Sequence, residues 1–172
     1  AININSSQHS FFNNLGLVLK EQKKLDRAIQ AFHQSIEINP RFTEGHNNLG
    51  IVLQKQEKYN EAIKAYRSAI KLQPDNMEAC SNLGKLLQQK EQLGEATKIF
   101  RRAIKHHPND AELYYHLGTT LYKRDRFKQA IQAYQKTIEL QPNHTEAHYN
   151  LGLALQKQEP VSYTHLTLPT KA

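Results

Sequence analysis

The feature that most constrains this chain of 172 residues is a spacing of 34 residues that recurs along almost all of it. Glycine returns at this interval, and so do alanine in a second row and proline in a third. Three independent rows with one period and no insertion indicate a repeat array, whose units bury their apolar faces against one another. The rows are Gly16, Gly50, Gly84, Gly118 and Gly152; Ala28, Ala62, Ala96 and Ala130; and Pro40, Pro74, Pro108 and Pro142.

The boundaries of the repeats follow when each glycine of the first row is counted as position 8 of its unit. The complete repeats are then 9–42, 43–76, 77–110 and 111–144, and a partial fifth repeat is 145–159. We expect residues 1–8 to be the end of a preceding repeat, because they align with residues one period later. Residues 160–172 break the phase, and we expect a non-repeat tail there that is disordered or foreign to the array.

Each repeat is predicted to contain two helices. In the second repeat, positions 4, 7, 8 and 11 share one helix face, at about 100° per residue, and positions 2, 6, 9 and 13 share roughly the opposite face. A second helix with apolar residues at helical spacing follows, and it must end before Pro74. Asp75, with Glu78 three residues later, predicts the N-terminal cap of the next helix.

The small residues in the glycine and alanine rows have a packing role in this interpretation. Because they lack bulk, the two helices of one repeat can approach closely, and a larger residue would overpack the contact. Position 24 of each repeat is a large aromatic residue that belongs to the same core. These aromatic residues are Phe32, Tyr66, Phe100 and Tyr134.

The period, with Leu at position 7, Gly at 8, Ala at 20, Phe or Tyr at 24 and Pro at 32, resembles the tetratricopeptide repeat over residues 1–159. The resemblance implies an all-α fold, a right-handed α-solenoid of antiparallel helix pairs, with a concave groove lined by the first helix of each pair. It also implies a noncatalytic scaffold that binds proteins or peptides. Position 4, which is often Trp in the family, departs from the pattern; it is Phe12, His46, Cys80, Tyr114 and His148 here.

Position 6 lies in the groove of the family, and in this chain it is an amide in four of five repeats. An amide side chain has both donors and an acceptor, so it can pair with the backbone of an extended peptide. The resulting asparagine ladder is similar to that of the O-linked N-acetylglucosamine transferases. The alternative function is therefore substrate recognition within a larger glycosyltransferase of that type. The ladder residues are Asn14, Asn48, Asn82, His116 and Asn150.

Other groove positions carry tyrosines and glutamates, and each allows two interpretations. Tyr115, Tyr122 and Tyr149 are candidate peptide contacts, since tyrosine offers a large contact area with a polar tip, but they could equally pack between adjacent helices. The glutamates at position 2 could attract basic peptides. They also suit the start of a helix, where carboxylates complement the helix dipole, and we favour this structural role.

The remaining composition mostly excludes functions. The net charge of +7 would suit an anionic partner, but the lysines are spread over all repeats, so nucleic acid is not an expected partner. No apolar run is long enough to cross a membrane, and a cytoplasmic location is expected. No catalytic motif, metal site or cofactor site is predicted. Because neither end has a polar capping helix, end-to-end self-association is a further expectation.

Overall fold

The computed structural model describes the backbone of residues 3–158 and the side chains of residues 7–158. This part of the chain contains nine α-helices and no strand, so the predicted all-α class is confirmed. None of its helices is both long and apolar enough to span a bilayer. The helices are α1 (Asn3–Glu21), α2 (Leu25–Ile38), α3 (Thr43–Lys55), α4 (Tyr59–Leu72), α5 (Met77–Gln89), α6 (Leu93–His106), α7 (Ala111–Lys123), α8 (Phe127–Leu140) and α9 (Thr145–Gln158).

The helices pack in the order of the sequence. Every helix contacts the next one, and each odd-numbered helix also contacts the next odd-numbered helix. No other helix pairs are in contact within the described residues, so the array is an α-solenoid with local packing only. We call the odd-numbered helices the first helices and the even-numbered helices the second helices. The first helices form a continuous row, and this row positions the candidate site.

The N-terminal residues differ from their predicted arrangement. The sequence predicts that residues 1–8 are the end of a preceding repeat. In the structure, α1 begins at Asn3 and continues through residue 8 to Glu21, so residues 3–8 extend the first helix without a break. The predicted non-repeat tail, residues 160–172, lies outside the described residues.

The glycines at position 8 allow each pair of helices to approach closely, and the structure shows which group requires the space. A Cβ atom added to Gly84 would lie 2.4 Å from Cζ of Phe100, the aromatic residue at position 24 of the same repeat. At Gly16, Gly50 and Gly118 the nearest ring atom is Cε1 of the aromatic residue at position 24, at 2.6 Å in each case. Real side chains do not tolerate such contacts, and the rings are fully buried. The glycine and aromatic rows are therefore two halves of one contact.

The helix caps lie one residue later than the sequence predicts. Asn76 caps α5, and its side-chain oxygen accepts a hydrogen bond from the backbone N–H of Ala79 at 2.8 Å. Asp110 caps α7 in the same way, with the N–H of Leu113 at 3.0 Å. The prediction of Asp75 as the cap is wrong. Because α5 begins at Met77, the cap is the non-helical residue directly before it, Asn76.

The turns inside the repeats are also periodic. Lys23, Glu57, Glu91 and Asp125 all have φ between 55° and 60°. Each lies two residues after the end of a first helix. This conformation lets two N–H groups reach carbonyls of the final helical turn; the N–H of Lys58, for example, bonds to the carbonyl of Leu53 at 2.9 Å. Every complete repeat thus reverses direction through the same short turn.

Candidate functional site

The first helices α3 and α5, together with the second helix α4, line a pocket of about 460 Å³ where the second and third repeats meet. From α3 it receives Ile51 and Lys55, at positions 9 and 13, and from α5 it receives Glu78 and Asn82, at positions 2 and 6. These are the positions that the sequence places on one helix face. The pocket combines an aliphatic, a cationic, an anionic and an amide side chain, and its remaining residues are Gln54, Tyr59, Tyr66 and Gln89.

Tyr66 links this pocket to the core. Its buried ring lies over Gly50. Its hydroxyl donates a hydrogen bond to Oε1 of Gln54 at 3.0 Å. Burial, with a contribution from Glu78, raises the pKa of Tyr66, so the hydroxyl remains a donor. Sequence reasoning assigned Tyr66 only to the core and missed Gln54. The repeated glutamine at position 12, as in Gln88 and Gln156, is the signal that would have found it.

The predicted ladder residues connect consecutive repeats. Nδ2 of Asn48 donates to Oδ1 of Asn13 at 3.0 Å, and Nδ2 of Asn82 donates to Oδ1 of Asn47 at 3.3 Å. Nδ2 of Asn150 donates to the hydroxyl of Tyr115 at 3.3 Å. In each case position 6 of one repeat bonds to position 5 of the preceding repeat. One amide hydrogen thus links α1 to α3, another links α3 to α5, and a third links α7 to α9.

The exposure of the ladder residues differs along the array. Asn14 is exposed, Asn82 and Asn150 are half-buried, and Asn48 is only 8% exposed. An amide has two N–H donors and one acceptor oxygen, so a bond to the preceding repeat leaves a donor and an acceptor. Asn82 and Asn150 combine this remaining capacity with partial exposure.

His116 interrupts the ladder. The side chain stacks on Phe100, with ring centroids 5.6 Å apart, and among the described residues it makes no hydrogen bond to Ser81, its counterpart at position 5. Burial, reinforced by Lys85, lowers the pKa of His116 to about 4. The ring is therefore neutral at pH 7, and its contact with Glu112 at 3.7 Å is not an ion pair under those conditions.

The two histidines near the fourth ladder position, His144 and His148, have separate partners. His144 is buried; its Nε2 lies 3.4 Å from Oε1 of Glu112, and its Nδ1 accepts from the N–H of Ala147 at 3.3 Å. His148 is directed elsewhere, with Nε2 2.8 Å from the carbonyl oxygen of Pro142. No group of three or more ligands that could hold a metal occurs in the described part of the chain. His144 thus serves as the cap of α9.

The three candidate tyrosines occupy different environments. Tyr115 is half-buried between repeats, with its ring centroid 4.6 Å from that of His144, and burial raises its pKa. Tyr122 packs edge to face on Phe127 at 5.5 Å. Tyr149 is 68% exposed. Tyr115 and Tyr122 therefore pack between helices, while Tyr149 is the most accessible of the three.

Two family models match the sequence. One, described as the cytochrome c-type biogenesis protein H TPR domain, matches residues 43–148, and the other, described as tetratricopeptide repeat, matches residues 8–75. The chain belongs to the tetratricopeptide repeat family. No curated protein matches the chain. Neither family model supports the relationship to O-linked N-acetylglucosamine transferases.

Solved structures agree with this assignment. MamA is similar, with a TM-score of 0.82, 25% identity and coverage of 89% of this chain and 84% of that one. YrrB, described as a tetratricopeptide repeat protein with an unusual peptide-binding site, has a TM-score of 0.76, 24% identity and coverage of 88% and 78%. PilF of Pseudomonas aeruginosa has a TM-score of 0.76, 20% identity and coverage of 90% and 70%. The last two likenesses show the fold alone.

Proposed function

We propose that this tetratricopeptide repeat array is a noncatalytic scaffold that holds an extended protein segment against its first helices. Protein-binding scaffolds of the same fold agree with this general role. The observation that carries the proposal is the pocket between α3 and α5, which places Asn82 beside Ile51, Lys55 and Glu78. A peptide backbone needs paired donors and acceptors together with apolar contact, and this pocket offers both.

The amides of the ladder supply the backbone contacts in this proposal. Each amide keeps a fixed position because one hydrogen is already bonded to the preceding repeat, at 3.3 Å for both Asn82 and Asn150. A fixed side chain loses little entropy when a ligand binds. The other donor and the oxygen then pair with a peptide N–H and C=O, and recognition depends little on the sequence of the peptide.

The tyrosines and glutamates supply secondary contacts. Tyr149 is the candidate anchor for an apolar side chain of the peptide, because it is exposed on α9. Glu78 and Lys55 have opposite charges and line the same pocket, so the pocket tolerates both basic and acidic side chains of a peptide. We therefore expect a preference for extended backbone and a weak preference for sequence. End-to-end self-association is a separate proposal, because it concerns the two ends of the array.

A library of extended peptides of random sequence tests this function. We expect the wild-type protein to bind many members weakly, and Asn82→Ala to weaken that binding by about tenfold, the effect of losing one or two hydrogen bonds. The matched control is Asn60→Ala, which removes an exposed asparagine from a second helix. Backbone N-methylation of the bound peptides should also weaken binding.

Two outcomes would contradict the proposal. One is an Asn82→Ala protein that keeps its helical content and binds the peptides as tightly as the Asn60→Ala control. The other is binding that survives N-methylation of the peptide. The methylated peptide has no backbone N–H to donate to the amide oxygens, so binding would not depend on those hydrogen bonds.

A further inference from the structure

The two ends of the array expose apolar surface at positions that are covered in the interior. On α1 the exposed side chains are Phe11, Leu15 and Val18, at positions 3, 7 and 10, and Phe11 is 63% exposed. At the same positions α5 has Ala79, Leu83 and Leu86, all fully buried. We call Phe11, Leu15 and Val18 the α1 stripe. Positions 3, 7 and 10 are therefore the face by which a first helix normally packs on the preceding repeat.

The other end exposes a different face. On α9 the exposed positions are 4, 8 and 11, occupied by His148, Gly152 and Leu155, which we call the α9 groove. Leu155 is 46% exposed, whereas Leu87 and Leu121 at the same position are buried. A Cβ atom at Gly152 would meet no atom of the described residues within 4 Å. The α9 groove is the face that a second helix covers in every complete repeat.

The α1 stripe resembles the part of a second helix that covers this face in the complete repeats. In each complete repeat an aromatic ring at position 24 lies over the glycine at position 8, and an isoleucine follows four residues later, as in Tyr134 and Ile138. The α1 stripe repeats this spacing with Phe11 and Leu15. Residues 7–19 contain no Asp, Glu, Lys or Arg, so no charge must lose its water when the stripe is covered.

We propose that two copies of this 172-residue chain associate head to tail, with the α1 stripe of one copy in the α9 groove of the other and Phe11 over Gly152. The two surfaces cannot meet within one molecule, because α1 and α9 are at opposite ends of the array and do not contact each other. The contact joins two different surfaces, so it leaves one of each free. Association therefore continues into linear oligomers and does not close at a dimer.

Two variants separate the surfaces. Phe11→Glu places a charge in the α1 stripe. Gly152→Trp fills the α9 groove at a site where an added Cβ meets no described atom within 4 Å. Sedimentation velocity from micromolar to millimolar protein should show concentration-dependent oligomers for the wild type and monomers for each variant. An equimolar mixture of the two variants should give a discrete dimer, because the intact stripe of Gly152→Trp meets the intact groove of Phe11→Glu.

The control is Met77→Glu, which places a charge on an exposed apolar residue in the interior of the array. It should associate like the wild type. Three results would overturn the proposal. The first is a wild type that is monomeric throughout. The second is a Gly152→Trp protein that still associates like the wild type, which indicates contact between two α1 stripes. The third is a mixture that stays monomeric.

Discussion

The third repeat and α9 contain the same Asn-Leu-Gly motif in different surroundings. In α5 the motif ends at Gly84, which lies under the buried ring of Phe100. In α9 it ends at Gly152, which no described atom covers. The comparison shows that glycine is needed in the interior because it leaves room for an aromatic ring of the second helix. It has no special backbone role, since neither glycine has a positive φ. Identical residues therefore contribute differently in the interior and at the end.

The largest difference is expected for the leucine at position 11. Leu87→Ala removes a fully buried side chain from the interior and should lower the free energy of unfolding by about 3 kcal/mol. Leu155→Ala, at the same position of α9, should change it by less than about 0.5 kcal/mol, because the side chain is 46% exposed. Urea unfolding at low protein concentration, where copies do not associate, measures both. Equal losses would show that the two environments are alike.

The glycine itself gives a second test, with an opposite sign at the two sites. Gly84→Val forces a branched side chain against Phe100 and should destabilise the protein by about 2–3 kcal/mol. Gly152→Val enters open space and should stabilise α9 by a few tenths of a kcal/mol, because valine favours a helix more than glycine does. Thermal unfolding compares the two variants. A destabilised Gly152→Val protein would mean that another group covers this face.

A third test uses a titratable group that the interior buries. The pKa of His116 is about 4, against 6.5 for an ordinary histidine, so between these values the unfolded chain binds a proton that the folded chain does not. Stability should therefore fall as the pH decreases from 6.5 to 4, by about 2 kcal/mol after allowing for partial exposure of the ring.

His116→Asn removes this titration and gives the fourth repeat the amide found in the other repeats. Its free energy of unfolding, measured against the wild type at several pH values, should depend less on pH between 6.5 and 4. A dependence equal to that of the wild type would show that His116 titrates normally in the folded protein.

The period predicted the helix pairs and the close approach at position 8, because both are repeated local requirements. It could not predict the caps, since Asp75 and Asn76 are equally able to cap, and only the first helical residue decides between them. Nor could it show that the ladder amides bond to position 5 of the preceding repeat, as Asn82 does with Asn47. That contact depends on the rotation of one first helix against the next, which is set by the packing of the whole repeat.

The central claim is that the remaining hydrogen-bonding capacity of the ladder amides contacts a peptide backbone. The most direct measurement is NMR of the side-chain NH₂ groups during titration with an extended peptide of random sequence. The signals of Asn82 and Asn150 should shift with the peptide concentration, while that of Asn60 on a second helix stays fixed. Bound peptide that leaves the signals of Asn82 and Asn150 unchanged would contradict the account.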